Sequence, residues 1–410
     1  MTFSATVVRV FAGTWLAYAG LYLCRRNFSV IMPSLGRDLA FTNDGLASLV
    51  FAYSLCYALG QFVCGTLADR YGPRRTVALG MAVSATAAFL MAGASAFVPF
   101  VLLQGVNGFA QSAGWPGLVR ITAREFQPPH RGALMAWWST HLVIGGLVAT
   151  LLATWLANTP QLGMTAPTWR AASFGPGLGL LAIAALFLIL VRPDPQRSPI
   201  PRAQQERWSE VLRSGPLRSI AIAYFCLKLV RYTFLFWLPL YMVQQLRYSE
   251  GEAGYASSVY ELVGFLGVPL AGHLSDRVFG GRRFPVAALM MSGLAVACLF
   301  FTQWSAVGAW ANLASIAAIG ILTFGPDSLI SGPAVQDSVT LEATATAAGF
   351  VNGVGSAGQV LSPFLVSLAV GWVGWNGLFS IFVCVALAGA AALASRWNLE
   401  ARVVTQACMK

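Results

Sequence analysis

Six charged side chains lie inside runs of sequence that are otherwise apolar enough to cross a membrane. They are Arg25, Arg26, Lys228, Arg231, Glu261 and Asp327. A charged side chain at the centre of a bilayer costs at least about 2.5–3.5 kcal/mol, so each is a candidate for function. Since the cations outnumber the acids, a cavity lined by these side chains predicts an anionic ligand.

The clearest pattern combines two tyrosines with an arginine. Tyr18 and Tyr22 precede Arg25 by seven and three residues, and this spacing places all three side chains on one helix face. Two phenols beside a guanidinium can donate hydrogen bonds to several oxygens of one anion, and the arginine fork suits phosphate or carboxylate. Arg231 follows Arg25 by 206 residues. We therefore expect the two arginines to close around one dianion. The alternative is that each arginine reaches an interface or pairs with an acid, as we expect for Arg26.

His141 is the one histidine of the chain that falls well inside a predicted span. Imidazole titrates near neutral pH in general, so His141 could add a proton-dependent contact to a bound phosphate. The alternative is a buried histidine with a purely structural role.

The composition excludes an ordinary soluble protein. Of the 410 residues, 57% are hydrophobic and only 10% are charged, against about 25% charged in soluble domains. Helices long enough to span a bilayer are predicted near 7–32, 44–68, 75–95, 97–126, 131–156, 171–192, 216–245, 251–277, 282–303, 306–333, 340–369 and 374–395. The predicted fold is all-α: a polytopic membrane protein with twelve transmembrane helices in two pseudo-symmetric six-helix bundles.

The arrangement of basic residues predicts the orientation. Most of the 26 Lys and Arg fall at the N-terminus, in alternate loops and at the C-terminus, while Arg37, Arg170 and Arg247 fall on the opposite side. The positive-inside rule then places both termini in the cytoplasm and the chain in the inner membrane. Topology accounts for the net charge of +11, so nucleic-acid binding is not expected.

An internal repeat divides the chain. The sequence GTLADR at 65–70 recurs as GHLSDR at 272–277, an offset of 207 residues that nearly equals the one between Arg25 and Arg231. Such duplications predict two six-helix bundles with the substrate site at their interface. We expect bundles at 1–192 and 216–410, joined by a cytoplasmic linker at 193–215 that its four prolines keep extended.

The repeated hexapeptide predicts a gate at the cytoplasmic ends of its helices. Its charges can form a network that holds in one conformation and releases in another; the candidates are Asp69, Arg70, Arg74, Asp276 and Arg277. The alternative is a cluster of charges that only sets topology.

The repeated hexapeptide resembles the signature loop of the major facilitator superfamily. Further segments resemble the organophosphate:phosphate antiporter family of that superfamily, and they are 21–33, 109–116, 131–141, 230–239, 260–261, 324–326 and 347–350. The resemblance implies that Arg25 and Arg231 bind phosphate with help from His141, and that an organic phosphate is exchanged for inorganic phosphate by alternating access. The other binding candidates are Tyr57, Gln61, Tyr260, Glu261 and Asn352.

Three positions depart from that family. Gln61 stands where members carry Lys, Lys228 replaces an aromatic residue, and Asp327 occupies an uncharged position. Lys228 could bind a second anionic group of the substrate, and Asp327 could bind a substrate amine. Alternatively, Lys228 and Asp327 pair with each other.

Other functional classes remain as alternatives. A membrane sensor would bind the same ligand without transporting it, and a proton-coupled symporter would use Glu261 or Asp327. The chain has no nucleotide-binding loop, metal cluster or catalytic triad, so no enzyme, cofactor or metal site is predicted. The expected partners are a small phosphorylated anion, inorganic phosphate and the lipid bilayer, and the expected state is a monomer.

Overall fold

The computed structural model describes residues 4–126, 131–158, 168–193, 204–248 and 250–399. The helices of the first half are α1 (Ala5–Asp38), α2 (Asn43–Tyr71), α3 (Pro73–Gly93), α4 (Phe97–Gln111), α5 (Gly114–Glu125), α6 (Arg131–Trp138), α7 (His141–Asn158) and α8 (Ala171–Leu190). They are followed by α9 (Gln204–Arg213), α10 (Gly215–Leu246), α11 (Glu250–Gly264), α12 (Gly267–His273), α13 (Arg283–Ser305), α14 (Ala309–Ile330), α15 (Pro333–Ser338) and α16 (Thr344–Ala394).

The predicted all-α membrane fold is confirmed. Within the described residues, nine helical stretches are long and apolar enough to cross a bilayer. The other predicted spans correspond to α4 with α5, to α11 with α12, and to the first part of α16. These three spans are more polar than the nine stretches, or they are divided between two helices. In α16, Gly374 has a φ of 69°, a left-handed conformation that favours glycine and separates the last two predicted spans.

Glycines allow the helices that carry the candidate site to approach closely. A Cβ atom on Gly108 of α4 would collide with the carbonyl of Tyr53 on α2. A Cβ atom on Gly267 of α12 would likewise collide with the carbonyl of Ile321 on α14. Small residues at such contacts let membrane helices pack backbone to backbone, which fixes the register of neighbouring side chains.

The chain forms two compact units. The first unit comprises Met1–Glu125, Thr140–Ser209 and Leu341–Gly353, and the second comprises Phe126–Ser139, Glu210–Thr340 and Val354–Lys410. These units differ from the two sequence halves, because α6 belongs to the second unit and the first turns of α16 belong to the first.

The linker differs from the extended segment that we predicted. Residues 204–213 form the helix α9, which starts after the last proline of the linker, Pro201. Trp208 of α9 donates from Nε1 to Oγ1 of Thr66 at 3.1 Å, and its ring meets that of Phe350 edge-on. The prolines at 195, 199 and 201 lie outside the described residues. Proline disfavours helix only at its own position and just before it. The prediction of an extended linker was therefore wrong for the segment that follows the prolines.

Candidate functional site

Arg25 lies among aromatic rings on α1. Its guanidinium carbon is 5.0 Å from the ring centres of Tyr22 and Tyr57 and 5.9 Å from that of Tyr18. Its Nε donates to Oε1 of Gln111 at 2.8 Å. Within the described part of the chain, its Nη2 is buried without a hydrogen-bond partner and no carboxylate pairs with it. A buried guanidinium in this state is an available anion site, because burying it uncompensated is costly.

A buried amide network holds that guanidinium in place. Oε1 of Gln111 also accepts from the hydroxyl of Tyr53 at 3.0 Å, and its Nε2 donates to Asn107 Oδ1 and Ser84 Oγ, each at 3.2 Å. Nδ2 of Asn107 donates to the carbonyl of Cys24, the residue before the arginine, at 2.8 Å. The network therefore fixes both the side chain and the backbone of the candidate ligand. Sequence reasoning missed it, although Gln111 lies within the family-like segment 109–116.

His141 begins α7 and is fully buried. Its ring stacks on that of Tyr18 with centres 4.4 Å apart at an angle of 17°, and it meets Trp115 edge-on at 6.4 Å. The structure thus brings His141 to the aromatic group that surrounds Arg25. Its role as a ligand stays a prediction.

Gln61 is a buried amide one turn after Tyr57 on α2. Among the described residues, neither its Oε1 nor its Nε2 has a hydrogen-bond partner. Leaving such groups buried and unsatisfied costs about 1–3 kcal/mol each. A substrate hydroxyl or a water molecule that both donates and accepts would satisfy them. Asn352 is also buried, and it lies in the part of α16 that belongs to the first unit.

In the second unit, Arg231 on α10 forms an ion pair. Its Nη1 lies 2.8 Å from Oδ2 of Asp327 on α14, and the two side chains are 14% and 6% exposed. The guanidinium carbon is 4.4 Å from the ring centre of Phe324 and 5.8 Å from that of Tyr232. The two arginines of the repeat therefore differ: among the described residues, Arg25 has no counter-ion, whereas Arg231 has one.

Lys228 lies one turn before Arg231 on α10 and is buried. Its Nζ donates to Oγ of Ser356 on α16 at 3.2 Å and is 4.7 Å from the ring centre of Tyr224. The alternative in which Asp327 pairs with Lys228 was wrong, since Asp327 pairs with Arg231. The reason is the helix register, which brings the arginine rather than the lysine to the carboxylate.

Tyr260 and Glu261 follow each other on α11. The hydroxyl of Tyr260 donates to the carbonyl of Arg231 at 3.4 Å, and its ring stacks on that of Phe234. Tyr260 is thus a buried support of α10, while Glu261 is partly exposed.

The first copy of the repeated hexapeptide places Asp69 at the start of α16. Its Oδ1 accepts from Arg120 and from the backbone N–H of Ala345, the latter at 3.2 Å. Its Oδ2 accepts from the N–H and the hydroxyl of Thr346, both at 2.6 Å. Asp69 thereby satisfies backbone donors that the helix itself leaves unpaired. Arg120 and Thr346 were not predicted as its partners.

The second copy has a different set of partners. Asp276 pairs with Arg283, which also lies 3.2 Å from Asp337. Neither Arg283 nor Asp337 was among the predicted gating residues. Two arginines, Arg282 and Arg283, follow the second copy as Arg74 and Arg75 follow the first, so the sequence did place a basic residue near Asp276, whereas it carried no signal for Asp337.

The other predicted gating charges lie apart from these networks. Arg70 is exposed and stacks over Tyr71, and Arg277 is exposed. Arg74 donates to the carbonyls of Val191 at 2.6 Å and Leu188 at 2.5 Å, at the C-terminal end of α8. A cation at this end of a helix satisfies unpaired carbonyls. The gating role of all five charges stays a prediction.

The long apolar helices are those of a multi-pass membrane protein, and the family of the chain makes it a transporter rather than an enzyme. The sequence profile of the Major Facilitator Superfamily matches residues 14–356 and 220–406, so the chain belongs to this superfamily. The resemblance to its organophosphate:phosphate antiporters is confirmed by the relatives that follow.

Three curated relatives match nearly the whole chain. The chain is 29% identical to the glycerol-3-phosphate transporter of Bacillus subtilis over 423 residues, covering 96% of this chain and 93% of the relative. It is 27% identical to a probable hexose phosphate transport protein of Chlamydia trachomatis, covering 95% and 91%, respectively. It is also 27% identical to sugar phosphate exchanger 3 of Mus musculus, covering 93% and 91%.

Solved structures share the fold at low sequence identity. The Escherichia coli fucose:proton symporter matches with a TM-score of 0.75 and 13% identity over 96% of this chain and all of that chain. A bacterial homologue of the iron transporter ferroportin matches with a TM-score of 0.75 and 13% identity over 97% of this chain and all of that chain. These likenesses support the fold alone.

Proposed function

We propose that this protein exchanges a small phosphorylated organic anion for inorganic phosphate by alternating access. Arg25 and Arg231 act as the phosphate ligands, and Tyr18, Tyr22 and His141 assist. The protein lies in the inner membrane as a monomer with both termini in the cytoplasm.

The observation that carries the proposal is the environment of Arg25. Its guanidinium is oriented by Gln111 and bordered by three tyrosine rings, yet one of its nitrogens is buried without a partner among the described residues. A permanent cation that is preorganised and not neutralised binds an oxyanion without first breaking an internal ion pair. Phosphate and its monoesters have the geometry that the guanidinium fork favours.

The relatives support the choice of substrate class. Two are named for transport of glycerol 3-phosphate or hexose phosphate, and a third is named as a sugar phosphate exchanger. Gln61 and Lys228 differ from the family pattern at positions that we assign to the organic part or to a second anionic group of the substrate.

Counterflow in vesicles tests the proposal. Purified protein in liposomes loaded with inorganic phosphate should take up labelled glycerol 3-phosphate or a hexose phosphate, while vesicles loaded with chloride, with equal pH inside and outside, should take up far less. Arg25→Gln should abolish this exchange, and Arg37→Gln, a matched change in the exposed Arg37–Asp38 pair, should leave it unchanged.

A sensor gives a different result in the same vesicles. It would bind an organic phosphate in calorimetry but show no counterflow under any loading. That outcome would refute transport while preserving the anion site.

A further inference from the structure

We propose that Asp327 competes with the transported anion for Arg231 and takes up a proton when the anion binds, so that each anion crosses the membrane together with one proton. This inference rests on the proposed function, because it requires that Arg231 binds the anion.

Arg231 and Asp327 form a buried ion pair, which an anion would have to break in order to bind Arg231. Arg231 Nη1 and Asp327 Oδ2 are 2.8 Å apart, and both side chains are largely buried. Arginine cannot lose its proton in a protein, so the carboxylate is the member of the pair that can become neutral. Oδ1 of Asp327 is buried without a hydrogen-bond partner among the described residues, and it offers a place for the added proton.

An anion at Arg231 would stand close to the Asp327 carboxylate. At an effective dielectric of about 20 and about 5 Å from the carboxylate, each negative charge of the anion weakens its binding on the order of 100-fold, so a dianion is weakened on the order of 10⁴-fold or more. Protonation of Asp327 removes this repulsion and frees the guanidinium. Thermodynamic linkage then requires that anion binding favours protonation by the same factor.

The repeat provides an internal comparison. Arg25 occupies the corresponding position in the first half and has no carboxylate partner in the described part of the chain. The anion therefore reaches Arg25 without displacing an acid, and the proton requirement arises from the second unit alone.

The described helices packed against α14 carry further charged and titratable residues. They include Arg131 of α6, Arg218, Tyr224, Cys226, Lys228, Tyr232 and Tyr241 of α10, Glu252, Tyr260 and Glu261 of α11, His273 of α12, Arg283 and Cys298 of α13, and Asp337 of α15. Arg283 pairs with both Asp276 and Asp337. On α16 the only such group is Cys384, which is exposed. Among the carboxylates on α14 and on these described helices, only Asp327 forms an ion pair with Arg231.

The charge balance distinguishes two modes of transport. A phosphate monoester dianion that enters with one proton carries a net charge of −1, and the proton leaves the carboxylate when the anion is released. During exchange each direction carries one proton, so no net proton flux accompanies it. One-way entry carries protons inward.

Binding by wild-type protein gives the first test. Glycerol 3-phosphate is added to protein in weak buffer at about pH 8, where a monoester with a second pKa of about 6 is already a dianion. We expect uptake of about one proton per bound anion, reported by a pH-sensitive dye. Stoichiometric binding without proton uptake would overturn the inference, and it would do so without any variant.

Transport gives the second test, with Asp327→Asn as the variant. In phosphate-free vesicles an inward proton gradient should accelerate wild-type entry of glycerol 3-phosphate about 10-fold or more, and the variant should lose this acceleration. Binding of glycerol 3-phosphate to the variant in calorimetry checks that the variant is folded. Asp38→Asn, which removes an acid from an exposed ion pair, serves as the control and should behave as the wild type.

The possible failures are distinguishable. Absence of counterflow in wild-type vesicles would refute the proposed function itself. Counterflow with proton-dependent entry that survives in Asp327→Asn would refute only the role of Asp327. Selective loss of 2-aminoethylphosphonate binding in the variant, with proton uptake unchanged, would instead assign Asp327 to a substrate ammonium group and overturn the inference.

Discussion

Replacing Asp69 by Asn should detach the start of α16 from α2. Each carboxylate oxygen of Asp69 accepts from two donors: Oδ1 from Arg120 and Ala345, and Oδ2 from two groups of Thr346. An Asn amide must therefore point its NH₂ group at two donors, whichever way it is turned. The substitution also removes the negative charge that faces Arg120.

The expected loss is large because the group is buried. Removing one member of a buried ion pair costs about 3–5 kcal/mol, most of it from the charge left behind. At 1.4 kcal/mol per factor of ten, the equilibrium between the docked and the released segment shifts by about 100-fold to several thousand-fold. Such a shift would populate the released state measurably.

Spin labels can report the release. Tyr71 at the end of α2 and Glu342 just before α16 are both exposed, so labels at these positions should disturb little. We expect the distance distribution between them to lengthen or broaden in Asp69→Asn, in a background without the native cysteines, and the melting temperature to fall.

The second copy of the hexapeptide supplies the matched control. In Asp276→Asn, Arg283 keeps Asp337 as a partner, so the loss should be smaller than in Asp69→Asn. Equal melting temperatures of the two variants together with an unchanged label distance would refute this reasoning. The two charges would then serve only to set topology.

Four further predictions concern the ligands. Arg25→Lys should weaken phosphate binding at least about 10-fold in calorimetry, because lysine loses the bidentate fork; near-normal affinity would exclude the guanidinium as ligand. Gln61→Leu should raise the melting temperature of the ligand-free protein, since it removes unsatisfied buried groups, and should weaken glycerol 3-phosphate binding; a lower melting temperature with normal binding would contradict this. His141→Phe keeps the ring stack on Tyr18, so a loss of affinity that His141→Gln partly restores would identify the imidazole as a ligand, whereas full affinity in the Phe variant would make it structural. Lys228→Met should leave the empty protein folded and should weaken bisphosphates more than monophosphates, and a uniform effect on both would reject a second anion contact.

Much of the architecture could be predicted from the sequence. A segment of about 20 apolar residues can cross a bilayer on its own only as a helix. Each backbone N–H and C=O needs a partner, and only a helix supplies these partners within the same segment. The rarity of charge in these helices made Arg25, Arg231 and Asp327 visible as candidates, since a buried charge must have a reason. The match to the superfamily profile confirms the superfamily, and the solved structures confirm the fold.

Pairing could not be predicted in the same way. Asp327 was considered as the partner of Lys228, but it pairs with Arg231, although the two cations lie only one turn apart on α10. One helical turn is 5.4 Å, more than the reach of an ion pair, so a small rotation or shift of α14 decides which cation is neutralised. No local pattern records that shift.

The sequence by itself determined the composition of the membrane helices, their repeat and the excess of cations among them. Only the tertiary structure decided that Arg25 is held by Gln111 and has no counter-ion in the described part of the chain, while Arg231 is neutralised. The physical reason is that burial and spacing act along one helix and can be read from it. The choice of a partner depends on how separate helices pack, and glycine contacts such as that of Gly267 with Ile321 determine how closely α12 can approach α14.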